Sequence, residues 1–369
     1  MKNDQSKSDY SRPPNGYETI DTKKGANPSK DQPTSRRSLL RGAAYAGAGL
    51  GLVSLAGSKP SLAATSPGPG ITPGDVDVLR FLAAAEFLES DLWDQYWELA
   101  AGNEAYGRAL NNIENELVTY TCDVAAYERT HAQFINAFLE ANSYEAVSLD
   151  DFRTLPSTPA FGAQEQGRLT NLMDLTVDTS WYLRYRDPKG GNPDFGTTYP
   201  QFVEIKNKPV IPLSNNVSDF DMQLIANAAA FHFVNSEELG ASIYPALAQK
   251  VTNIDVLRIL LSIGPTEAYF FASFHQSLEG LPAISGNGMV FPDVKKNHLG
   301  GHHIPHACEF LHPGLPQCCV IRPISTKQNG AVHQIKAGTT AGLFKGQSQK
   351  FFDTLMGLAV KADAAQRGL

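Results

Sequence analysis

The chain has 369 residues, of which 42% are hydrophobic and 19% are charged, and this composition excludes a protein that is disordered throughout. Four cysteines in this length also exclude a scaffold held together mainly by disulfides. The net charge of −7 is unevenly distributed, because residues 1–63 carry ten basic and five acidic side chains. The remainder is therefore strongly acidic, which argues against a protein that binds nucleic acid or an anionic membrane surface.

The amino terminus is predicted to be an export leader. Residues 1–35 are polar and have no apolar period, which predicts disorder. The pair Arg36-Arg37 precedes a run of 17 uncharged residues, 42–58, and a small-residue cleavage site at 61–63. A basic start, an apolar run and such a site are typical of a secretory signal. The paired arginines and the weakly apolar run indicate the twin-arginine type.

A membrane anchor and a core helix are the alternatives for this apolar run. It is shorter than the ~20 residues that span a bilayer, and its glycines disfavour a core helix. We therefore expect a mature chain that begins near Ala64, has no stable membrane anchor, and lies in the periplasm or outside the cell. The expected partner during export is the twin-arginine machinery.

The mature chain is predicted to be built from long helices, because apolar residues recur at helical spacing in four regions. These regions are about 75–101, 104–142 with a break near Glu116, 219–249, and 254–278 with a kink at Pro265. Residues 143–218 are rich in Pro, Gly, Asn and aromatic residues, and they predict a long crossover that includes a β-hairpin. One further helix is predicted at the end, over about 340–367.

Two helices, a long crossover and two more helices match the ferritin-like topology of a four-helix bundle. The predicted fold class is therefore all-α. The predicted segments are the leader and twin-arginine signal over 1–63, a linker over 64–74, the ferritin-like bundle over 75–280 with its crossover 143–218, and a loop segment with a terminal helix over 281–369.

Each of the four long helices carries one glutamate among apolar neighbours. These residues are Glu86, Glu128, Glu237 and Glu267. Residues three or four apart face the same way on a helix, so the four carboxylates are predicted to point into the bundle. Burying an ionised carboxylate costs several kcal/mol unless it is paired or binds a metal. Arginine and lysine are scarce on these faces, so a metal is the expected partner.

The second helix adds a histidine to this pattern. In carboxylate-bridged two-metal sites, two helices each supply a Glu and two others each supply a Glu-x-x-His pair. Glu128 and His131 form one such pair. Carboxylate-rich sites suit iron or manganese, and the predicted metal ligands are Glu86, Glu128, His131, Glu237 and Glu267.

At these motifs the chain resembles secreted ferritin-like proteins that carry a twin-arginine signal, and desiccation-related plant proteins and fungal stress proteins are similar to the same group. The resemblance covers about residues 75–280. It rests on Ala85-Glu86-Phe87-Leu88-Glu89 with Trp93, on Glu128-x-x-His131, on Glu237-Glu238-Leu239-Gly240 with Tyr244, on Glu267-Ala268-Tyr269-Phe270-Phe271-Ala272, and on the crossover segments 169–172 and 194–196. It implies a bundle that holds iron or manganese, with no settled reaction.

The fourth helix departs from the family pattern, which is Glu-x-x-His, because Phe270 stands at the histidine position. A phenyl ring cannot ligate a metal, and the spacings of His275 and His232 turn them away from the glutamate face. One metal position therefore has a histidine and the other has carboxylates only. A full two-metal site, a single or weakly held metal, and protonated carboxyls without metal are all consistent with this pattern. Glu86 is preferred over Glu89 as the ligand from the first helix.

A second group of metal-binding residue types lies near the carboxyl terminus. It comprises His298, His302, His303, His306, Cys308, His312, Cys318 and Cys319. Imidazole and thiolate suit zinc or copper, but the spacing matches no standard zinc module. The preferred interpretation is a histidine-rich loop with a disulfide from Cys308 to Cys318 or Cys319, formed after export.

The sequence thus predicts an exported ferritin-like protein with iron or manganese in a degenerate carboxylate site, with an oxidase or stress-related role. The alternative is a metal-free relative with a structural or stress-protective role. A third hypothesis is a binding protein that holds a ligand on the aromatic residues of segment 181–185. Nucleophile elbows, phosphate loops and dinucleotide fingerprints do not occur in a supporting context.

Overall fold

The computed structural model describes residues 70–184, 199–296, 307, 308, 314, 316, 318, 319 and 330–368. The predicted leader lies outside the described residues. Within them the protein is mainly helical, as an all-α class requires, and no helix there is long and apolar enough to cross a membrane. The helices are α1 (Pro73–Gly102), α2 (Glu104–Asn111), α3 (Leu117–Ala141), α4 (Trp181–Arg184), α5 (Asp219–Ala248), α6 (Ile254–Ser277), α7 (Ala331–Ala341) and α8 (Gln349–Ala364).

The predicted long helices form, and capping residues explain where they begin. Helix α1 starts at a capping box, in which the Asp75 amide donates to Thr72 Oγ1 and the Thr72 amide donates to the Asp75 carboxylate. Ser218 caps α5 and Asn253 caps α6 in the same manner, with the side chain accepting from backbone amides. The predicted break near Glu116 is confirmed by the separation of α2 from α3.

The four long helices pack as two pairs, α1 with α3 and α5 with α6. Aromatic side chains join the pairs. The Trp93 ring of α1 stacks on Phe274 of α6 at 5.1 Å between centroids and lies 5.0 Å from Phe233 of α5. Pro265 lies within α6, which continues as one helix through it. The inner faces of these helices form the core that contains the candidate site.

The crossover contains two short strands, β1 (Leu175–Val177) and β2 (Ile205–Lys208), which pair antiparallel. Residues 178–204, including helix α4, separate them along the chain. The pairing that was predicted as a hairpin is therefore a non-local pairing between two distant parts of the crossover.

Two of the aromatic residues on which the third hypothesis rests, Trp181 and Tyr182, belong to the core, and Tyr185 lies outside the described residues. Trp181 and Tyr182 are 0% and 1% exposed. The Trp181 ring lies 6.1 Å from Phe231 and 5.6 Å from His275, measured between centroids. Because these rings are already packed against α5 and α6, they do not offer the open ligand surface that the third hypothesis requires.

The terminal helix predicted over about 340–367 forms as α8, which begins later than predicted, at Gln349, and a separate helix that the sequence did not predict, α7, precedes it. Gly342 ends α7 in the left-handed conformation, with φ of 87°, and the Leu343 amide donates to the Gly338 carbonyl at 3.0 Å. Ser348 then caps α8. Gly342 therefore ends α7 and Ser348 begins α8, and these two residues divide the apolar pattern of this region into two helices.

A β-hairpin that the sequence expectations did not include follows α6. Strands β3 (Ile284–Gly286) and β4 (Met289–Phe291) pair antiparallel. Both turn residues, Asn287 and Gly288, have positive φ, as two-residue hairpin turns of this type require.

The histidine- and cysteine-rich segment is described only in part. Strands β5 (Ala307–Cys308) and β6 (Cys318–Cys319) pair so that Cys308 lies opposite Cys318 along the backbone. The side chains of these cysteines, and the histidines of this segment, lie outside the described part of the chain. The predicted disulfide therefore stays a prediction, as does the alternative zinc or copper site at His298, His302, His303, His306 and His312.

Candidate metal centre

Four of the five predicted ligands lie together at the centre of the helical core. They are Glu86 of α1, Glu128 and His131 of α3, and Glu267 of α6, and we call them the carboxylate cluster. One ligand atom from each lies within 4.8 Å of the corresponding atoms of the others, and all four side chains are buried. The three-residue spacing on α3 explains why its Glu and His share a face.

The imidazole of His131 is the meeting point of the carboxylate cluster. Its Nδ1 lies 3.2 Å from Glu86 Oε2, 3.2 Å from Glu128 Oε2 and 3.4 Å from Glu267 Oε1. One ring nitrogen carries at most one proton, so it can donate to only one of the three carboxylates at a time. The other two depend on a different donor or on a cation.

Several carboxylate oxygens at this place have no hydrogen-bond donor. Glu128 Oε1, Glu237 Oε2 and both oxygens of Glu267 are buried and accept no hydrogen bond, and the approach of His131 to Glu267 Oε1 is an ion-pair contact only. Buried polar atoms are nearly always satisfied, so four such oxygens on three neighbouring side chains need an explanation. Oxygen-rich sites with one imidazole fit iron or manganese, and the residues present are therefore suited to such an ion.

The electrostatics of the cluster follow from burial. Burial raises the pKa of Glu128 well above its ordinary value, and neighbouring carboxylates raise it further. Burial also raises the pKa of Glu267 to about 7, against the opposing effect of His131. For His131, burial lowers the pKa, but the carboxylates of Glu267 and Glu86 outweigh it and raise the pKa to about 10. Without a bound cation, the cluster therefore retains protons near neutral pH.

Glu237 of α5, the fifth predicted ligand, is buried beside the cluster but does not belong to the group of atoms that lie within 4.8 Å of one another. Burial raises its pKa well above the ordinary value, and the adjacent Glu267 carboxylate raises it further. Two ionised carboxylates cannot hydrogen-bond each other, so Glu237 and Glu267 require a shared proton or a cation between them.

Tyr244 fixes the orientation of Glu86. Its hydroxyl is buried and donates a hydrogen bond to Glu86 Oε1, while the other oxygen, Oε2, faces His131. Glu86 is thus the residue of α1 that belongs to the cluster, and its role as a metal ligand stays a prediction. The sequence identified Tyr244 only as part of a motif, and its contact comes from the packing of α5 against α1.

Glu89 is a fifth acidic side chain at the same place, although the sequence favoured Glu86 as the ligand from this helix. It lies one turn after Glu86 on α1 and is half-buried. Burial raises its pKa well above the ordinary value, and the charges of Glu267 and Glu86 raise it further. Glu89 therefore lies close enough to interact with the cluster while it also contacts a neighbouring cavity.

Gly240 provides the space that Glu267 occupies. A Cβ atom at position 240 would collide with the Glu267 carboxylate and would lie 3.0 Å from its Cδ. The glycine of α5 therefore allows α6 to bring its carboxylate into the centre. This explains in physical terms why glycine stands three residues after Glu237.

Phe270, which stands three residues after Glu267, packs as an apolar side chain. It is 6% exposed, and its ring meets Tyr127 edge to face at 5.4 Å between centroids. His131 is thus the one imidazole in the cluster among the described residues.

The other two histidines of the long helices have different partners. His232 Nδ1 lies 2.7 Å from the Tyr96 hydroxyl, and the His275 ring packs against Trp181. Neither histidine belongs to the carboxylate cluster.

Comparisons of the chain with protein-family models, with curated proteins and with solved structures found no match.

Proposed function

We propose that this chain is an exported ferritin-like protein that binds one or two iron or manganese ions at the carboxylate cluster and Glu237. The order of the helices supports the ferritin-like assignment, since α1 and α3 precede a long crossover and α5 and α6 follow it. The leader motif Arg36-Arg37 supports export by the twin-arginine route.

The observation that carries this proposal is the set of buried carboxylate oxygens without donors. Glu128, Glu237 and Glu267 present four such oxygens. Among the described residues, the hydrogen-bond donors at the cluster are one imidazole and one tyrosine hydroxyl. Leaving a charged group buried without a partner is one of the costliest arrangements in a protein. A divalent cation at this place would satisfy these oxygens together.

The residues of the site have separable roles. His131 and the glutamates of three helices would hold the ion, and Tyr244 would fix the ligand orientation of Glu86 through its hydrogen bond. The aromatic rings of Trp93 and Phe274 stack nearby and help to exclude water from the core. Iron or manganese bound there would supply one-electron redox chemistry, which is the basis for an oxidase or peroxide-removing role in stress.

A metal-free structural or stress-protective protein is the second candidate, and two observations favour it. Phe270 removes a histidine that the family pattern would provide. The raised pKa of Glu267, about 7, and of His131, about 10, also show that protons can neutralise part of the cluster. In this case Glu237 and Glu267 would share a proton instead of an ion.

Thermal unfolding of the metal-free protein distinguishes the two candidates. Protein freed of metal with a chelator is melted with Mn²⁺ in air and with Fe²⁺ under anaerobic conditions. A ligand at 100 times its Kd stabilises a protein by about 2.7 kcal/mol, so the metal-binding function predicts a rise in Tm of about 5 °C or more.

The matched variants for this experiment lie on the same helix. Glu128→Gln removes a ligand from the cluster and should abolish the metal-dependent rise in Tm. Glu140→Gln changes an exposed glutamate of α3 and should leave the rise unchanged. A wild-type Tm that does not respond to either metal would favour the metal-free candidate.

A further inference from the structure

A large cavity lies beside the carboxylate cluster, between α1 and α5 on one side and α7 with β1 and β2 on the other. Its volume is about 540 Å³, which is in the range of small-molecule binding sites. The inner wall is mostly apolar, and it includes Phe81, Leu88, Leu92, Val177, Ile335 and Phe344. Exposed polar residues, among them Glu204 and Lys336, lie at its rim.

The inner wall also carries a small set of polar groups. His232 and Ser236 are one turn apart on α5 and are 6% and 4% exposed, and Glu89 faces them from α1. A few polar groups within an apolar wall are what orients a ligand in such a site.

His232 presents a hydrogen-bond donor to this cavity. Burial lowers the pKa of His232 to about 4, so the imidazole is neutral. The Tyr96 hydroxyl lies 2.7 Å from Nδ1 and is the natural donor to it, which leaves the ring proton on Nε2. Nε2 has no hydrogen-bond partner among the described residues, and it is the nitrogen available to a ligand.

The apolar wall and the His232 donor restrict the polar group that a ligand can carry. A carboxylate would accept from His232 Nε2, but it would be an ion buried in a mostly apolar wall, with no arginine or lysine beside it among the residues that line the cavity away from its rim. An ammonium would lose its hydration in the same wall and cannot accept from Nε2. A neutral hydroxyl accepts from His232 and also donates to Glu89.

We propose that this cavity is a binding site for a small, mainly apolar alcohol whose hydroxyl lies between His232, Ser236 and Glu89. The apolar wall takes the hydrocarbon part of the ligand, and the polar rim stays in contact with solvent. This inference does not rest on metal binding, because the residues that form the site are outside the predicted ligand set.

The test compares three ligands that share one hydrocarbon tail: n-octanol, n-octanoate and n-octylammonium. Their binding to the metal-free protein is measured by isothermal titration calorimetry at neutral pH. We expect n-octanol to bind at one site per chain, and about tenfold or more tightly than either charged analogue, because only it forms both hydrogen bonds. Equal or tighter binding of n-octanoate or n-octylammonium, or unsaturable uptake of n-octanol, would overturn the proposal.

Variants locate the site. Ala337→Trp on α7 fills the cavity and should abolish n-octanol binding, whereas Ala126→Trp at an exposed position of α3 should leave it unchanged. If circular dichroism shows that Ala337→Trp does not fold, Ala341→Trp fills the same cavity from the end of α7. Full affinity in a folded cavity-filling variant would refute the assignment.

A substitution at the polar end tests the head-group contact separately. His232→Phe keeps a ring of similar size but removes the Nε2 donor, so n-octanol should bind about fivefold to tenfold more weakly. The affinity of n-octylammonium, which receives nothing from Nε2, should not fall. An unchanged n-octanol affinity in this variant would contradict the placement of the hydroxyl.

Discussion

The helical core contains two groups of buried acidic side chains that differ in how they are neutralised. Three acids have an arginine partner, and these pairs are Asp91 with Arg153, Glu98 with Arg168, and Glu238 with Arg184. The acids of the carboxylate cluster share a single imidazole. All three arginines belong to the crossover, so these ion pairs attach the crossover to α1 and α5.

Two adjacent residues show the contrast most directly. Glu238 receives the Arg184 guanidinium at 2.9 Å, whereas its neighbour Glu237 has no arginine or lysine partner among the described residues and interacts with the Glu267 carboxylate instead. The helix turns the two side chains in different directions, one toward the crossover and the other toward the centre. Arginines of the crossover therefore neutralise Asp91, Glu98 and Glu238. No arginine or lysine among the described residues pairs with Glu237 or with the acids of the carboxylate cluster.

The largest expected effect concerns a structural acid. Glu98→Gln leaves the buried guanidinium of Arg168 without its counter-charge. Breaking one side of a buried pair is strongly destabilising, so the free energy of unfolding in urea should fall by about 3 kcal/mol or more. The exposed pair of Glu104 and Arg108 is the control, and Glu104→Gln should change the free energy by less than about 1 kcal/mol. Equal effects at the two positions would contradict the structural role of the buried pair.

The pH dependence of the metal-free protein should reveal the central group. His131 binds its proton more tightly when folded, with a pKa of about 10 against an ordinary 6.5. Its contribution is complete below pH 6.5 and is lost as the pH rises toward 10. The free energy of unfolding should therefore fall by about 2 kcal/mol between pH 7 and pH 9, as urea unfolding at several pH values would show.

His131→Gln is the control for this pH dependence, because it removes one of the protons that titrate and should make the fall in stability smaller. The slope that is left belongs to the cluster carboxyls, whose pKa values burial also raises. Bound metal should reverse the trend, since ligands must lose protons to coordinate it and binding therefore strengthens as the pH rises. A metal-free protein whose stability is constant or increases over this interval would contradict the description of the cluster.

Replacing a glutamate by glutamine should change the free energy of unfolding in opposite directions in the two groups, with a loss at Glu98 and a gain at Glu267. Glu267 has a pKa of about 7, so at pH 8 it is mostly an ionised carboxylate in a buried position. Glu267→Gln removes that charge with little change in shape, and it should stabilise the metal-free protein by between about 1 and 2 kcal/mol. It should also abolish the stabilisation by Mn²⁺. A loss of stability as large as that of Glu98→Gln would show that the two groups of acids do not differ.

The smallest expected effect concerns the glycine that makes room for Glu267. In Gly240→Ala the new Cβ displaces that carboxylate, and the cost is partly offset by the higher helix propensity of alanine. The free energy of unfolding should change by no more than about 1 kcal/mol, while Mn²⁺ no longer raises the Tm.

Gly357→Ala is the matched control in an exposed position of α8, where a Cβ atom meets no neighbour within 4 Å. It should gain about 0.5–1 kcal/mol of stability and keep the full response to Mn²⁺. A Gly240→Ala variant that responds to Mn²⁺ like Gly357→Ala would show that Glu267 does not need its present position.

The sequence predicts the long helices and the inward glutamates well, because both depend on local periodicity. Glu86, Glu128 and Glu267 each have apolar neighbours three or four residues away, and this spacing alone places them on the inner faces. The helix break at Gly342 and the turn at Asn287-Gly288 also have local sequence signals. Apolar residues continue on both sides of Gly342, however, and conceal the helix break there.

The partners of the acids are not predictable in the same way. Arg153, Arg168 and Arg184 lie in an irregular crossover, and only its tertiary path brings them to the acids of α1 and α5. The interaction of Glu89 with the cluster cannot be predicted from local sequence either, since it depends on how closely α1 approaches α5 and α6. Long-range packing therefore decides which glutamates are neutralised by the fold and which are available to an ion.

The most direct test of the proposed metal-binding function is the metal content of the purified protein. Elemental analysis is combined with anomalous scattering at the iron and manganese absorption edges from crystals of that protein. The proposal predicts about one or two ions per chain, with anomalous peaks between Glu128, His131 and Glu267. Crystals without a peak at this place, from protein that contains almost no iron or manganese, would contradict it.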